Sequence, residues 1–366
     1  MVVRAKRIEK TMGFVDSYYR TCRPDLKIDA YLSQKLRVLS YLGAFCVVCL
    51  HFGRFIDTST WVNAFIGDAI IRGCFFASVS MFFMFSGMLL VKDFDGSAAW
   101  WRRSVAKRVK SLLVPYLFWC ISYGVYFLLH GHAERYSSVG FWLQCLGISP
   151  HHVLPIYCQM WYVRCLFFLC IISPLLILAV NFISRHRATQ IMFGIVFLAA
   201  SALDFPLKDQ TVMATLYFMV GIYLGFNSRW LKKKTPTVVC CVFAVLLVVR
   251  GVGRHLWGMP SPYLHWIVFA FTIACVWRFY DFIVSFKVVD GLMKKKCIVD
   301  LQNTSFFLYC LHMWIFLQYP QWPKCMDGLV VQPIFQSIVI MAATYAIYVP
   351  MRKYLPWLCR LTTGGR

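Results

Sequence analysis

The sequence predicts an all-α protein, a polytopic bundle of about ten transmembrane helices with its N- and C-termini both on the cytoplasmic side. Three observations carry that prediction. Hydrophobic residues make up 60% of the 366, only 14% are charged, and the mean hydropathy is +0.63, more apolar side chain than a soluble core can hide. Apolar stretches close to the ~20 residues that cross a bilayer recur along the whole chain. The cations, 38 Lys and Arg against 15 Asp and Glu for a net charge of +23, fall in alternating clusters between those stretches.

In order, the apolar runs lie at about 37–56, 69–91, 111–130, 160–182, 190–206, 211–227, 236–253, 262–279, 304–320 and 330–350. The fifth and sixth are short and are separated by a turn holding Asp204, Pro206 and Asp209. Residues 1–35 read as a basic cytoplasmic tail, 36–350 as the membrane domain and 351–366 as a short cytoplasmic tail. The first thirty residues contain no apolar run, so no cleavable signal peptide is expected. Continuous runs are helices, because the strands of a membrane barrel alternate in hydropathy over about ten residues.

The cations orient the bundle. With the N-terminus inside, the cytoplasmic segments hold 30 of the 38 Lys and Arg, and the outer segments keep Arg54, Arg72, Arg135, Arg164, Lys208, Arg250, Arg254 and Lys324. Positive charge collects on the cytoplasmic side of membrane proteins. Topology therefore accounts for the basic balance, and no nucleic-acid partner is expected. The loops are too short for a soluble domain, which places the activity in the bundle.

Sixteen cysteines raise the prospect of metal or disulfides. Most lie within apolar runs. Cys46 and Cys49 have metal spacing but no matching second pair, whereas a structural zinc site takes four ligands. They read as small apolar side chains, and no metal is expected. Cys145, Cys158 and Cys325 fall outside, where one disulfide could form.

No acid falls in the middle of an apolar run. Asp281, Asp290 and Asp300 read as inner-loop residues, and Asp57, Asp68 and Asp327 as outer-face ones. Ion-coupled transporters usually keep an intramembrane carboxylate, so its absence counts against a transporter of glycans or small anions, which stays as the alternative. Bases are present instead. His51 closes the first span, Arg164 sits near the outer end of the fourth, His265 opens the eighth and His312 lies in the ninth. Four bases from four helices can converge on an oxyanionic centre, and histidine exchanges a proton near neutral pH. The competing reading makes His51 and His312 satisfied structural residues, with Arg164 and His265 snorkelling to the interface. The His151–His152 pair reads as solvated loop.

Several blocks then occur in a fixed order: the apolar run ending in His51; Phe82-Phe83-Met84-Phe85-Ser86-Gly87; Lys107-Arg108-Val109-Lys110 leading to Pro115-Tyr116; Trp161-Tyr162-Val163-Arg164 with Ser173-Pro174; Tyr217-Phe218-Met219-Val220-Gly221; and Ser305-Phe306-Phe307-Leu308-Tyr309-Cys310-Leu311-His312. This ordered set resembles the integral-membrane acyltransferase type-three family over roughly residues 33–350. The resemblance implies ten core helices and transfer of an acyl group from acyl-CoA to a carbohydrate or similar acceptor. It implies a bacterial inner-membrane protein that modifies envelope glycans. Family members pair an arginine and a histidine in the first helix, commonly with ten residues between. His51 matches the histidine; Ser40 stands at the arginine position, and the nearest arginine, Arg37, lies about one turn deeper.

On that reading CoA, with acetyl-CoA the default donor, docks on inner cations: Arg37, Arg103, Lys107, Arg108 and Lys110 suit phosphates, although each also fits the role of a positive-inside anchor. His51 deprotonates a hydroxyl, Tyr162 or Arg164 steadies the oxyanion, and Ser86 offers a hydroxyl beside Gly87, where helices can approach closely. Aromatics of the outer loops, among them Trp61, Tyr136, Phe141, Tyr263 and Trp322, could stack on sugar rings or line the interface.

Overall fold

A computed structural model of the protein describes residues 24–53, 56, 60–130, 138–148, 154–202, 211–233, 236–257, 265–317 and 331–365. These residues are helical almost throughout, with no β-strand among them. The first helix, α1, runs Ala30–Phe52, so it includes residues assigned above to the tail. Asp29 starts it by accepting the Leu32 amide at 2.7 Å, an N-cap that satisfies one otherwise orphaned donor. Leu36, Leu39, Gly43, Ala44, Val47 and Val48, spaced by three and four, form its buried stripe.

The next two helices are longer than their apolar runs. α2, Trp61–Asp93, is continuous and contains a π-helical stretch at Ile66–Phe75. α3, Ala98–Leu129, spans 32 residues. The cations read above as an inner loop are therefore helical, and they continue into the third span. Pro115 lacks an amide hydrogen, and its ring would collide with the preceding turn. The wider π-turn at Val109–Leu113 immediately before it relieves that collision.

After α4, Val139–Cys145, the fourth run departs from the expected single span. Cys158–Ile171 and Ser173–Arg185 meet at a bend of 72°. Pro174 removes a ladder hydrogen bond there, and the Ser173 hydroxyl donates to the Cys170 carbonyl at 2.8 Å. These halves are α5, Trp161–Ile171, and α6, Ser173–Arg185. Then follow α7, Arg187–Ala202; α8, Thr211–Phe226; α9, Arg229–Lys232; α10, Thr237–Trp257; α11, His265–Val284; α12, Lys287–Met293; α13, Lys296–Gln302; α14, Ser305–Leu317; α15, Gln332–Tyr354; and α16, Pro356–Thr363.

Among the described residues five helices are long and apolar enough to cross a membrane, six when the bent pair counts as one. Shorter apolar helices occupy the runs of α7, α8, α10 and α14. Each of these borders residues outside the described set, as does the turn with Asp204 and Asp209. The protein is thus a membrane helical protein.

α2 and α8 touch backbone to backbone. A methyl group at Gly87 would run into the Phe218 carbonyl oxygen, and one at Gly221 into the Met84 carbonyl oxygen. Gly225, one turn on, faces the Val91 side chain just as closely. Gly221 and Gly225 form the small-xxx-small spacing that lets membrane helices approach closely.

Near the N-terminal end of α1, Lys35 is buried to 1% exposure. Its ammonium bonds the Asp281 carboxylate at 2.5 Å and lies 3.7 Å from the Trp277 ring centre. The Tyr31 hydroxyl donates to the same carboxylate. Asp281 is therefore on the last turn of α11, not in a loop, and its charge is matched by a lysine read above as tail. Asp281→Asn is expected to lower stability by about 1–3 kcal/mol, since a buried charged donor loses its ionic acceptor. Thermal melting in detergent measures this.

Candidate active site

The last turn of α1 presents His51, half-buried, before Gly53 ends the helix. Its ring lies 5.1 Å from that of His312 of α14, tilted by 41°. Two of the four bases singled out in the sequence therefore meet, across 261 residues of chain. His312 is 1% exposed. Its Nδ1 lies 2.7 Å from the Tyr309 carbonyl oxygen. A carbonyl only accepts, so Nδ1 carries the proton and Nε2 is left with its lone pair. Nε2 is buried and has no hydrogen-bond partner.

Two tyrosines hold this part of α14 in place. The Tyr157 hydroxyl donates to the Cys310 carbonyl at 2.5 Å, and the Tyr309 hydroxyl donates to the Gln159 carbonyl. The Tyr309 ring lies 6.0 Å from His312 and 5.5 Å from Tyr162. Tyr162 in turn packs edge-on to Phe83 at 4.7 Å. Tyr162 thus reaches the histidine pair through one intervening ring. Ser86 is half-buried one turn along α2 from Phe82 and Phe83, about 5 Å farther from the histidine end.

Arg164 is directed elsewhere. Two residues beyond Tyr162, it projects about 200° around α5. Its guanidinium donates to the Gly147 carbonyl, beside the Tyr116 hydroxyl, which donates to Leu146 at 2.7 Å. Gly147 has φ +65°, a left-handed conformation that suits glycine and turns this carbonyl inward. The arginine here fastens the segment after α4 to the bundle. The side chain of His265, the His151–His152 pair, Cys325 and the aromatics Tyr136, Tyr263 and Trp322 lie outside the described residues. Trp61 is exposed, whereas Phe141 is buried.

The cations of α1 and α3 divide into groups. Arg103, Lys107 and Arg108 line one cleft with Trp100, Ser104 and Asp93. The spacing 100, 103, 104, 107, 108 is one helical face, a stripe hidden when these residues are read as loop. Lys110 is exposed beyond that stripe, and Arg37, on α1, is half-buried with its Nε unpartnered. Arg103 also bonds Asp95 at 3.0 Å. The Ser97 hydroxyl, the Ser97 amide and this arginine hold the Asp95 carboxyl below the usual carboxylate range. Asp95 therefore stays ionised, and Arg103 occupied, well below neutral pH. Among the described residues no group of His, Cys, Asp or Glu is placed to hold a metal ion.

The roles of Lys35, Asp281, Tyr309 and Gln159 come from the structure. Tyr309 alone carried a signal, since it stands three residues before His312 and so shares its helix face.

A bundle of apolar helices thus carries a histidine pair at one end of α1 and a cationic cleft on α3. The chain belongs to the acyltransferase type-three family, whose model, described as an acyltransferase domain, matches residues 35–352. It is an acyltransferase. No curated protein and no solved structure matches the chain. Membership of this family sets the transporter alternative aside.

Proposed function

We propose that the protein transfers an acyl group, acetyl by default, from cytosolic acyl-CoA to a hydroxyl of a cell-envelope carbohydrate, with His51 as general base. The observation that carries this reading is the meeting of His51 with His312 in a chain of the acyltransferase family. In this reading about ten spans cross a bacterial inner membrane with both termini inside. The α3 cleft receives CoA phosphates on Arg103, Lys107 and Arg108, where arginine forks and a lysine point charge complement them.

His51 takes the proton of the acceptor hydroxyl as its oxygen attacks the thioester carbonyl. The tetrahedral oxyanion collapses, the C–S bond breaks, and the CoA thiolate leaves and recovers the proton from His51. Tyr162 stands one ring away from the histidines, and its hydroxyl, turned toward the oxyanion, supplies a donor.

The test is incubation of purified protein with labelled acetyl-CoA, paired with mass spectrometry of envelope glycans from cells with and without it. No label transfer together with unchanged glycans overturns the assignment. Arg108→Glu, which reverses one charge of the cleft, is expected to raise KM for acetyl-CoA about tenfold with a smaller effect on kcat. Steady-state kinetics at fixed acceptor checks this, and an unchanged KM removes the cleft from the donor site.

A further inference from the structure

α15 carries a buried polar group that the transfer mechanism does not use. Gln336 of α15 is 3% exposed, and its amide oxygen Oε1 is buried with no hydrogen-bond partner. One turn along the helix, Ile340 packs with Leu308 of α14 and with Ala44, Val48 and Phe52 of α1. His312 stands one turn beyond Leu308, and Gln336 one turn beyond Ile340, each about 6 Å along its own helix. His312 meets His51 at that level. Ser337, adjacent to Gln336, meets the thiol of Cys49, two residues before His51. Gln336 and the histidines thus share one level of the bundle, reached from α1, α14 and α15.

A buried polar atom left unpaired costs about 1–3 kcal/mol, and a low-dielectric interior offers no water to repay it. Two such atoms at one level call for a ligand. Both are acceptors: the Nε2 lone pair of His312 and the Oε1 of Gln336. A carboxylate or phosphate brings only acceptors and would leave them unpaired. A pair of neighbouring hydroxyls brings one donor to each.

We infer that Gln336 and the histidine pair form a diol-reading subsite, so that the acceptor presents two adjacent hydroxyls, as a sugar ring does. One hydroxyl, held at rest by His312 Nε2, turns its proton to the adjacent His51 as it is acylated; the other donates to Gln336. This inference rests on the proposed transfer at the histidine pair, and it narrows the acceptor to vicinal diols. Rejection of an analogue that lacks the second hydroxyl follows from leaving Gln336 unpaired.

The probes are trans-cyclohexane-1,2-diol and cyclohexanol, offered to purified full-length protein with labelled acetyl-CoA. Binding of each without donor is read by saturation-transfer NMR. The variants are Gln336→Leu and the near-isosteric Gln336→Met. Both remove an amide with an unpaired oxygen, so melting temperatures at or above that of the parent protein are expected. Wild type is expected to favour the diol at least tenfold in kcat/KM, and either variant to erase that preference along with the diol's NMR signal. No preference in wild type, a preference that survives both variants, or an equal loss toward both probes overturns the subsite. Diol-selective, Gln336-dependent binding without transfer keeps the subsite and overturns the transfer chemistry. Neither binding nor transfer overturns both.

Discussion

Alanine in place of His51 is expected to lower acyl transfer by about 10²–10⁴-fold, the range that a positioned general base supplies. The side chain is half-buried at the end of α1 and does not fill the centre of the core, so its removal leaves the helix and its neighbours in place. The loss belongs in kcat, because a base acts as the hydroxyl proton leaves and adds little to donor binding. Purified variant and parent protein, compared with labelled acetyl-CoA at equal melting temperature, give the measurement. Transfer within a few-fold of the parent rate shifts the base to His312, whose Nε2 is buried with no hydrogen-bond partner.

The second large effect is structural. Gly221→Ala puts a methyl group against the Met84 carbonyl oxygen, where the obstacle is backbone and not the end of a flexible side chain. Overpacking a core costs typically about 1–3 kcal/mol. The upper end or beyond is expected here, because relief requires α2 and α8 to separate along their whole contact. The disturbance also reaches the site, since Phe82 and Phe83 on α2 pack against Tyr162. A lowered melting temperature and reduced yield of monodisperse protein check the first effect. Alanine at Gly194, which has open space around it, is the matched control.

Hydropathy made the membrane class legible because lipid demands long apolar runs with every backbone group satisfied internally. The same measure concealed where helices continue through polar residues. Arg103 and Lys107 looked like loop to a count of apolar length, yet their spacing with Trp100, Ser104 and Arg108 is that of one helix face. Pro174 announced a break, but a 72° bend depends on what the two halves pack against. His51 and His312 could each be noted as unusual; their contact could not, because nothing local to either residue encodes a partner so distant in the chain. Arg164 shows how the turn of a helix redirects a neighbour in sequence. Its position beside Tyr162 in sequence is overridden by the turn of the helix, and a carbonyl presented by Gly147 claims it. Lys35 looked like one more cytoplasmic cation until the aromatic surroundings of α11 closed over it.

That burial has a consequence for the far end of α1. Lys35 and His51 are 16 residues apart on the helix, about 24 Å along the axis and about 160° around it. α11 grips the helix at the lysine and α14 meets it at the histidine, from nearly opposite sides. A helix free to spin by a single residue would swing His51 through ~100° and away from its partner. The ion pair with Asp281 works like the indexing pin of a turret, fixing the angle at which a distant tool faces its work.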